Sequence, residues 1–325
     1  MRAHPLLFRP VYRDCLWGGD RIARRYARAD APARCGESWE ISAHPDGPSV
    51  VANGPFAGRD LPSLCAEFGP ALLGTACEGR RFPLLFKIID AHQPLSIQVH
   101  PSEQSAAALG GEPKTEMWHV LDAEEGARLV CGLRDCPGPR TLRDAIAAHR
   151  VPELLLECAV RPGDSLFVPG GTLHALGAGI LVYEVQQSSN TTYRVYDWDR
   201  VDADGRSREL HVDKAVAAID WRAPAQSVRR PAAEPDSAAG NRRWRLLRTD
   251  YFDLRATEVR HEEPVRMDGG SFHALFVRDG AARIAWDGGE LALPHGTSCL
   301  VPASLGAYAL RPVGDAPATL LTTTL

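Results

Sequence analysis

Val160-Arg-Pro-Gly-Asp-Ser-Leu-Phe-Val-Pro-Gly-Gly-Thr-Leu-His-Ala-Leu-Gly177 is the stretch whose reading decides the fold. Gly163 and Asp164 supply a turn, Ser165 to Val168 a strand, and Pro169-Gly170-Gly171 a second turn that aims His174 back along the next strand. Upstream, Leu95-Ser-Ile-Gln-Val-His-Pro101 alternates apolar Leu95, Ile97 and Val99 with polar Ser96, Gln98 and His100. On a period-two strand the polar set shares one face. Lys114-Thr-Glu-Met-Trp118 adds a carboxylate at Glu116. Two imidazoles, a carboxylate and an amide oxygen form a donor set that zinc accepts, so Gln98, His100, Glu116 and His174 are the expected ligands of a metal ion. A neutral glutamine in place of a second carboxylate leaves such an ion more Lewis-acidic toward a substrate oxygen.

The rest of the chain is ordinary in composition. Its 325 residues are 44% hydrophobic and 24% charged, with a formal charge of -4 and neither sign gathered into a block. This describes a globular chain with ample core and gives no electrostatic footprint for nucleic acid or a membrane surface. The partner expected is a small molecule, with no obligate protein partner in view. No apolar run is long enough for a signal segment or a membrane span, which predicts a cytoplasmic protein. Eight cysteines, at positions 15, 35, 65, 77, 131, 136, 158 and 299, are too sparse for a disulfide framework and are expected as thiols. Cys131 and Cys136 lack a second pair at zinc-finger spacing.

Moving outward, strands are expected around Leu16 to Gly19 and Gly36 to Ser42, and a helix over Leu61 to Leu73 broken at Gly69-Pro70. Phe82-Pro-Leu-Leu-Phe-Lys-Ile-Ile89 reads as a buried strand with one charge, Lys87. That lysine is either a snorkelling edge residue or an amine aimed into a pocket for an anionic group. A short helix after Ser102 should stop at Gly110-Gly111, and Thr141 is the expected N-cap of a helix reaching His149. Between Ala223 and Asn241 the chain is poor in large apolar residues and rich in turn formers, as a linker is. Beyond it, strands are punctuated at Asp268-Gly-Gly270, Asp279-Gly280 and Asp287-Gly-Gly289.

The 163–174 spacing, G-x5-P-x-G-x2-H, resembles the second motif of the cupin jelly rolls. Leu293-Pro-His-Gly-Thr-Ser-Cys-Leu-Val-Pro302 echoes its turn-strand-turn, but the position equivalent to His174 falls in Leu305-Gly306-Ala307. The expected fold is therefore mainly β, two cupin-type jelly-roll barrels with a small helical insertion. Residues 1–222 would form the catalytic domain, 223–241 a linker and 242–325 a smaller metal-free domain.

Lys87-Ile-Ile-Asp-Ala91, the 95–101 and 114–118 stretches, the His174 turn, Asn190-Thr-Thr-Tyr-Arg-Val-Tyr-Asp197 and Arg208-Glu-Leu-His211 together resemble the type I mannose-6-phosphate isomerases, nearest to the short bacterial branch. The resemblance implies a zinc enzyme, one ion per chain, that interconverts mannose 6-phosphate and fructose 6-phosphate through an enediol. It places the zinc on the same four residues. It makes Arg194 the active-site arginine and lines the sugar-phosphate pocket with Lys87, Ser96 and Lys114, with Lys114 also a catalytic candidate. Where family members often carry an acidic residue in the loop, this chain reads Ser188-Ser-Asn190, so the proton carrier stays open among a zinc-bound water, Lys114 and Glu184.

Blander readings stand beside these. Arg194 could be a structural bridge to Asp197 or Asp199, and Trp17, Trp39 and Trp118 core or pocket-wall aromatics. His4, His44, His92, His119, His149, His211, His261, His273 and His295 read as packed or surface residues. The rival functions are an isomerase of another aldose, a metal-dependent cupin oxygenase, against which the Gln98 ligand argues, and a non-catalytic sugar-phosphate sensor.

Overall fold

The computed structural model describes residues 3–77, 79, 81–135 and 137–325. Strands take 41% and helices 15% of the structure, in several antiparallel sheets, so the fold is mainly β. No described helix is long and apolar enough to cross a membrane. The seven described cysteines are free thiols, and Cys136 lies outside the described residues.

The chain divides into two compact units, each discontinuous in sequence. One gathers Tyr12–Ser38 and Phe86–Arg230; the other gathers Met1–Val11, Trp39–Leu85 and Pro231–Leu325. This differs from the linear succession of 1–222, 223–241 and 242–325. The physical reason is strand pairing: Leu6 and Leu7 pair with Leu300 and Cys299, which places an N-terminal strand in the sheet of the C-terminal residues. Within 223–241, Ala232–Glu234 is an edge strand paired to Arg243–Arg245, and Ser237 and Asn241 are buried.

The first unit is built on two sheets. A six-stranded sheet runs in the order Ser165–Val168, Glu116–Ala123, Ile180–Gln187, Leu84–Ala91, Val11–Gly19, Cys35–Ser42, and a five-stranded sheet in the order Tyr193–Tyr196, Ile97–Val99, Leu173–Leu176, Arg128–Leu133, Leu155–Ala159. Trp118, Val120, Leu166 and Ile180 of the first and Leu129, Cys131 and Leu176 of the second belong to one buried cluster, so the two inner faces share a core. The outer face of the five-stranded sheet is apolar as well. Ile97, Val99, Leu173, Ala175, Tyr193 and Val195 pack there with Leu142 of the Gly138–Ala147 helix and Ala215 and Val216 of the Val212–Ala218 helix. Apolar residues at odd positions of these strands thus send the even positions, Gln98, His174 and Arg194, to the interior.

The small elements follow local chemistry. Gly69 separates Leu61–Phe68 from Pro70–Leu73, with Asp60 capping the former through the Ser63 amide. Gly110, at φ 65°, ends Ala106–Leu109 in the left-handed conformation that glycine adopts freely. The helix expected to start at Thr141 starts at Gly138 instead and leaves Thr141 inside it. Pro139 accounts for the earlier start, because its fixed φ suits the first helical turn where no amide donor is needed.

In the second unit an eight-stranded sheet has the order Ala232–Glu234, Arg242–Arg248, Asp253–Val259, Ala318–Thr324, His273–Asp279, Ser298–Val301, Leu6–Arg9, Val50–Val51. A four-stranded sheet, Glu263–Arg266, Ala307–Pro312, Ala282–Trp286, Gly289–Leu293, shares its core through Val259, Leu275, Ile284, Leu310 and Leu320.

Leu142 is fully buried between its helix and the five-stranded sheet. Leu142→Ala should cost about 2–5 kcal/mol, the range for a large-to-small change in a packed core. Urea unfolding checks this, and an unchanged midpoint would mean that the helix does not seal that face.

Candidate active site

The site grows out of the strand alternation. Gln98 pairs in register with His174 on one side and Arg194 on the other, so three polar side chains enter the interior in a row. From the facing sheet, Glu116 and Trp118 enter on one strand and Glu184 on the next, where Glu184 pairs with Trp118 and Gln186 with Glu116. The Pro169-Gly170-Gly171 turn packs closely against the loop after His100. A side chain on Gly170 would lie 2.7 Å from the Ser102 Cα and 2.8 Å from the Pro101 carbonyl, so glycine lets the loops after the His100 and Val168 strands meet.

Glu116, His174 and His100 are 0%, 0% and 1% exposed, and one ligand atom of each lies within 4.8 Å of the others. His174 Nε2 is 3.3 Å from Glu116 Oε1, and His100 Nε2 is 3.3 Å from Glu116 Oε2. The Nδ1 atoms are occupied elsewhere: His100 donates to the Thr191 carbonyl at 2.8 Å and His174 to the Thr172 carbonyl at 2.7 Å. These carbonyl partners put the single proton of each neutral ring on Nδ1 and turn the Nε2 lone pairs toward the carboxylate. Both Glu116 oxygens are buried; Oε2 has the Lys114 ammonium at 2.8 Å, and Oε1 faces only the His174 nitrogen. Lone pairs facing lone pairs in a buried place call for a cation between them. Gln98 adds an amide to the same place, 3.4 Å from His174 Nε2, while Ser96 Oγ donates to its Oε1 at 3.3 Å. The donor set fits a divalent ion with nitrogen and oxygen ligands.

Lys114 supplies one positive charge from the protein itself. Its Nζ lies 2.8 Å from Glu116 Oε2 and 3.0 Å from His100 Nε2. Burial, joined by the Lys114 charge, lowers the His100 pKa to about 3, which keeps the imidazole neutral. Burial works against the Glu116 carboxylate, but the Lys114 charge outweighs it and holds Glu116 well below the usual range.

A cavity of about 290 Å³ opens beside this cluster. Lys87, Lys114, Arg194 and Arg208 against Glu37 and Glu184 make its lining net positive, which suits an anionic group. Lys87 is 4% exposed and sits 3.2 Å from Glu37 and 3.5 Å from Glu184. Burial opposes its charge, yet Glu37, Glu184 and Glu116 raise its pKa overall, so the amine stays charged in the cavity rather than snorkelling. Glu184 receives the Trp118 indole proton on Oε2 at 2.7 Å and leaves Oε1 without a hydrogen bond. Burial, followed by the Glu116 charge, raises its pKa.

The structure brings every expected site residue together: Gln98, His100, Glu116 and His174 in one cluster, and Lys87, Ser96, Lys114 and Arg194 around the adjoining cavity. The reading of Arg194 as a bridge to Asp197 or Asp199 does not hold. Asp197 is taken by Arg200 and Arg208, and Asp199 by Tyr196 and His149. Arg194 instead donates from Nε to Ser96 Oγ at 3.3 Å and from its terminal nitrogen to the Glu209 carbonyl at 2.9 Å. Glu37 and Arg208 line the cavity and were not singled out as site residues. Glu37 shares the Cys35–Ser42 strand with a second charge, Glu40, and no local signal separates the two; Arg208 has only its place in the Arg208–His211 motif to mark it.

A mainly β protein with an inward His-Glu-His cluster beside a cationic cavity defines a class with a candidate metal centre and a pocket suited to an anionic group. The comparisons narrow it. Residues 6–124 match the model of the catalytic domain of type I phosphomannose isomerase. The Bacillus subtilis (strain 168) protein YvyI is 34% identical over 317 residues, 96% of this chain and 97% of its own, and mannose-6-phosphate isomerase ManA of the same organism is 43% identical over 222 residues, 68% and 69%. The crystal structure of a mannose 6-phosphate isomerase from Bacillus subtilis superposes with a TM-score of 0.89 at 33% identity, covering 99% of each chain. The chain belongs to the type I phosphomannose isomerase family, and it is an enzyme of the mannose-6-phosphate isomerase class.

Burial opposes the Asp197 carboxylate, but Arg208 and Arg200 outweigh it and depress the Asp197 pKa. A depressed native pKa means stability that is complete above the unfolded value, about 3.9, and is lost as pH falls through the lower, folded one. The stability gap between wild type and Asp197→Asn should therefore be widest above about pH 5 and close toward strong acid. Urea titrations across that range read it, and a gap that widens on acidification would contradict the clamp.

Proposed function

We propose that this enzyme interconverts mannose 6-phosphate and fructose 6-phosphate with one zinc ion held by Gln98, His100, Glu116 and His174. The observation that carries the reading is the buried Glu116 carboxylate facing two imidazole lone pairs, with a net positive cavity beside it. Bound there, zinc would supply Lewis acidity to a sugar oxygen.

The chain's own residues do the remaining work. Moving a carbonyl between C1 and C2 requires a carbon-bound proton to leave one carbon and return to the other through an enediol, while negative charge develops on the neighbouring oxygens. Arg194, in register beside Gln98, and Lys114, in contact with Glu116, are the cations that stabilise that charge. Lys87, Ser96 and the positive lining hold the phosphate end, and this remote binding orients the reacting carbons. Glu184 carries the proton on Oε1: it is buried, it is fixed by the Trp118 indole, and its pKa is displaced toward neutrality. Lys114 does not suit that role while it is paired with a buried carboxylate.

Each unit is a cupin-type jelly roll, the first holding the metal. In the second, the turn Ala303–Leu305 and Gly306 stand where His174 stands in the first, so that unit is metal-free. By function, the unit of Tyr12–Ser38 and Phe86–Arg230 is the catalytic portion and the other unit the accessory portion.

The direct test is fructose 6-phosphate formation from mannose 6-phosphate by purified protein, with chelator and with zinc restored. Turnover that chelator abolishes and zinc restores is expected; zinc-loaded protein without turnover would overturn the substrate reading. Glu116→Gln should lose bound zinc and more than about 100-fold in activity together, as metal analysis beside the assay would show. Glu184→Gln should retain the metal and lose about 10²–10⁴-fold in kcat. A Glu184→Gln enzyme within twofold or so of wild type would remove Glu184 from the proton path.

A further inference from the structure

The second unit contains a cavity of its own, about 290 Å³. It lies where strand alternation sends polar residues inward. Along Asp253–Val259 the inward position at one end is Val259, in the apolar core, and the series continues through Thr257 and Arg255 to Asp253 at the cavity. On the paired strand the same face runs from Ala318 and Leu320 to Thr322 and Thr324, with Arg255 opposite Thr322 and Asp253 opposite Thr324. His273 likewise extends the inward series of Leu275 and Val277. These polar side chains are half-buried, with Arg243 and Arg255 at 41% and 43% side-chain exposure, so the cavity is open to solvent and to an entering ligand.

The lining carries three carboxylates and two guanidiniums, and Arg245 beside it supplies the third positive charge. Glu263 is held by Arg243 and by the Asn241 amide, Asp253 by Arg255 at 3.0 Å, and Glu234 by Arg245 at 3.2 Å. No excess of either sign remains for an ion. What remains is neutral hydrogen-bonding capacity. The hydroxyls of Thr257, Thr322 and Thr324 border the cavity and make no hydrogen bond among the described residues. Tyr308 Oη and His273 Nδ1 are paired at 2.8 Å, and burial keeps that imidazole neutral by lowering its pKa to about 4. Val265 and Leu310 add an apolar patch.

We infer that the second unit holds a binding site for a neutral, polyhydroxylated ligand of monosaccharide size. Hydroxyl-rich walls and guanidinium–carboxylate pairs match the donor and acceptor pattern of a sugar, and Val265 and Leu310 match its C–H face. The volume, just under the range of about 300–1,000 Å³ usual for ligand pockets, limits the occupant to one ring. The balanced charge disfavours a phosphorylated sugar, which separates this site from the cationic cavity of the first unit.

Calorimetric titration of the full-length protein with free mannose, glucose, fructose and inositol tests it. Saturable binding of at least one of them is expected, undisturbed by mannose 6-phosphate. The double variant Thr257→Val, Thr322→Val keeps side-chain volume and removes two hydroxyls. It should weaken that binding about tenfold while the Tm and mannose 6-phosphate turnover stay at wild-type values. Absence of saturable binding by all four probes, or binding that the double variant leaves unchanged, would overturn the assignment.

Discussion

A carboxylate with no access to solvent, Glu116, whose oxygens face two imidazole nitrogens and one ammonium, is the constraint around which the first unit is arranged. Burying an ionised group unpaired costs far more than any single packing contact returns, so positive charge has to come to it. Lys114 meets one oxygen at 2.8 Å; the other faces His174, whose outer nitrogen is committed to a backbone carbonyl. The demand that remains is for a cation between Glu116 and the imidazoles. Everything nearby supports that place: the period-two strands that aim Gln98 and His174, the glycine turn that lets the loops approach, and the apolar outer face that keeps the five-stranded sheet in register.

Much of this is legible in the sequence because strand periodicity is a local property. Ser96, Gln98 and His100 announce one face without knowledge of the partner strand, and the Pro169–Gly171 turn announces the direction of His174. Lys87 was harder. Its run shows an isolated charge, but only the tertiary arrangement supplies Glu37 and Glu184, the two carboxylates that hold it inside. Arg194 had several acidic neighbours in sequence, and the fold gives those acids to other partners: Arg200 and Arg208 for Asp197, Tyr196 and His149 for Asp199. Local sequence counts the possible pairs, whereas long-range geometry chooses among them.

The division of the chain was hidden for the same reason. The pairing of Leu6 with Leu300 joins residues nearly a whole chain apart, and no local pattern marks it. The helix beginning at Gly138 shows a smaller version of the effect: threonine is a good cap wherever it stands, but the proline two residues before it had already set the first turn. Both units nonetheless follow one rule, in which an inward strand face is apolar for part of its length and polar for the rest. In one the polar part converges on a metal-type donor set; in the other it surrounds a charge-balanced cavity.

Zinc K-edge X-ray absorption of the zinc-loaded protein tests the central assignment most directly. With Gln98, His100, Glu116 and His174 as ligands, the spectrum shows only nitrogen and oxygen scatterers at about 2.0–2.2 Å, with the outer-shell signature of two imidazoles. A sulfur scatterer at about 2.3 Å, or a spectrum without imidazole, would place the ion elsewhere and contradict it.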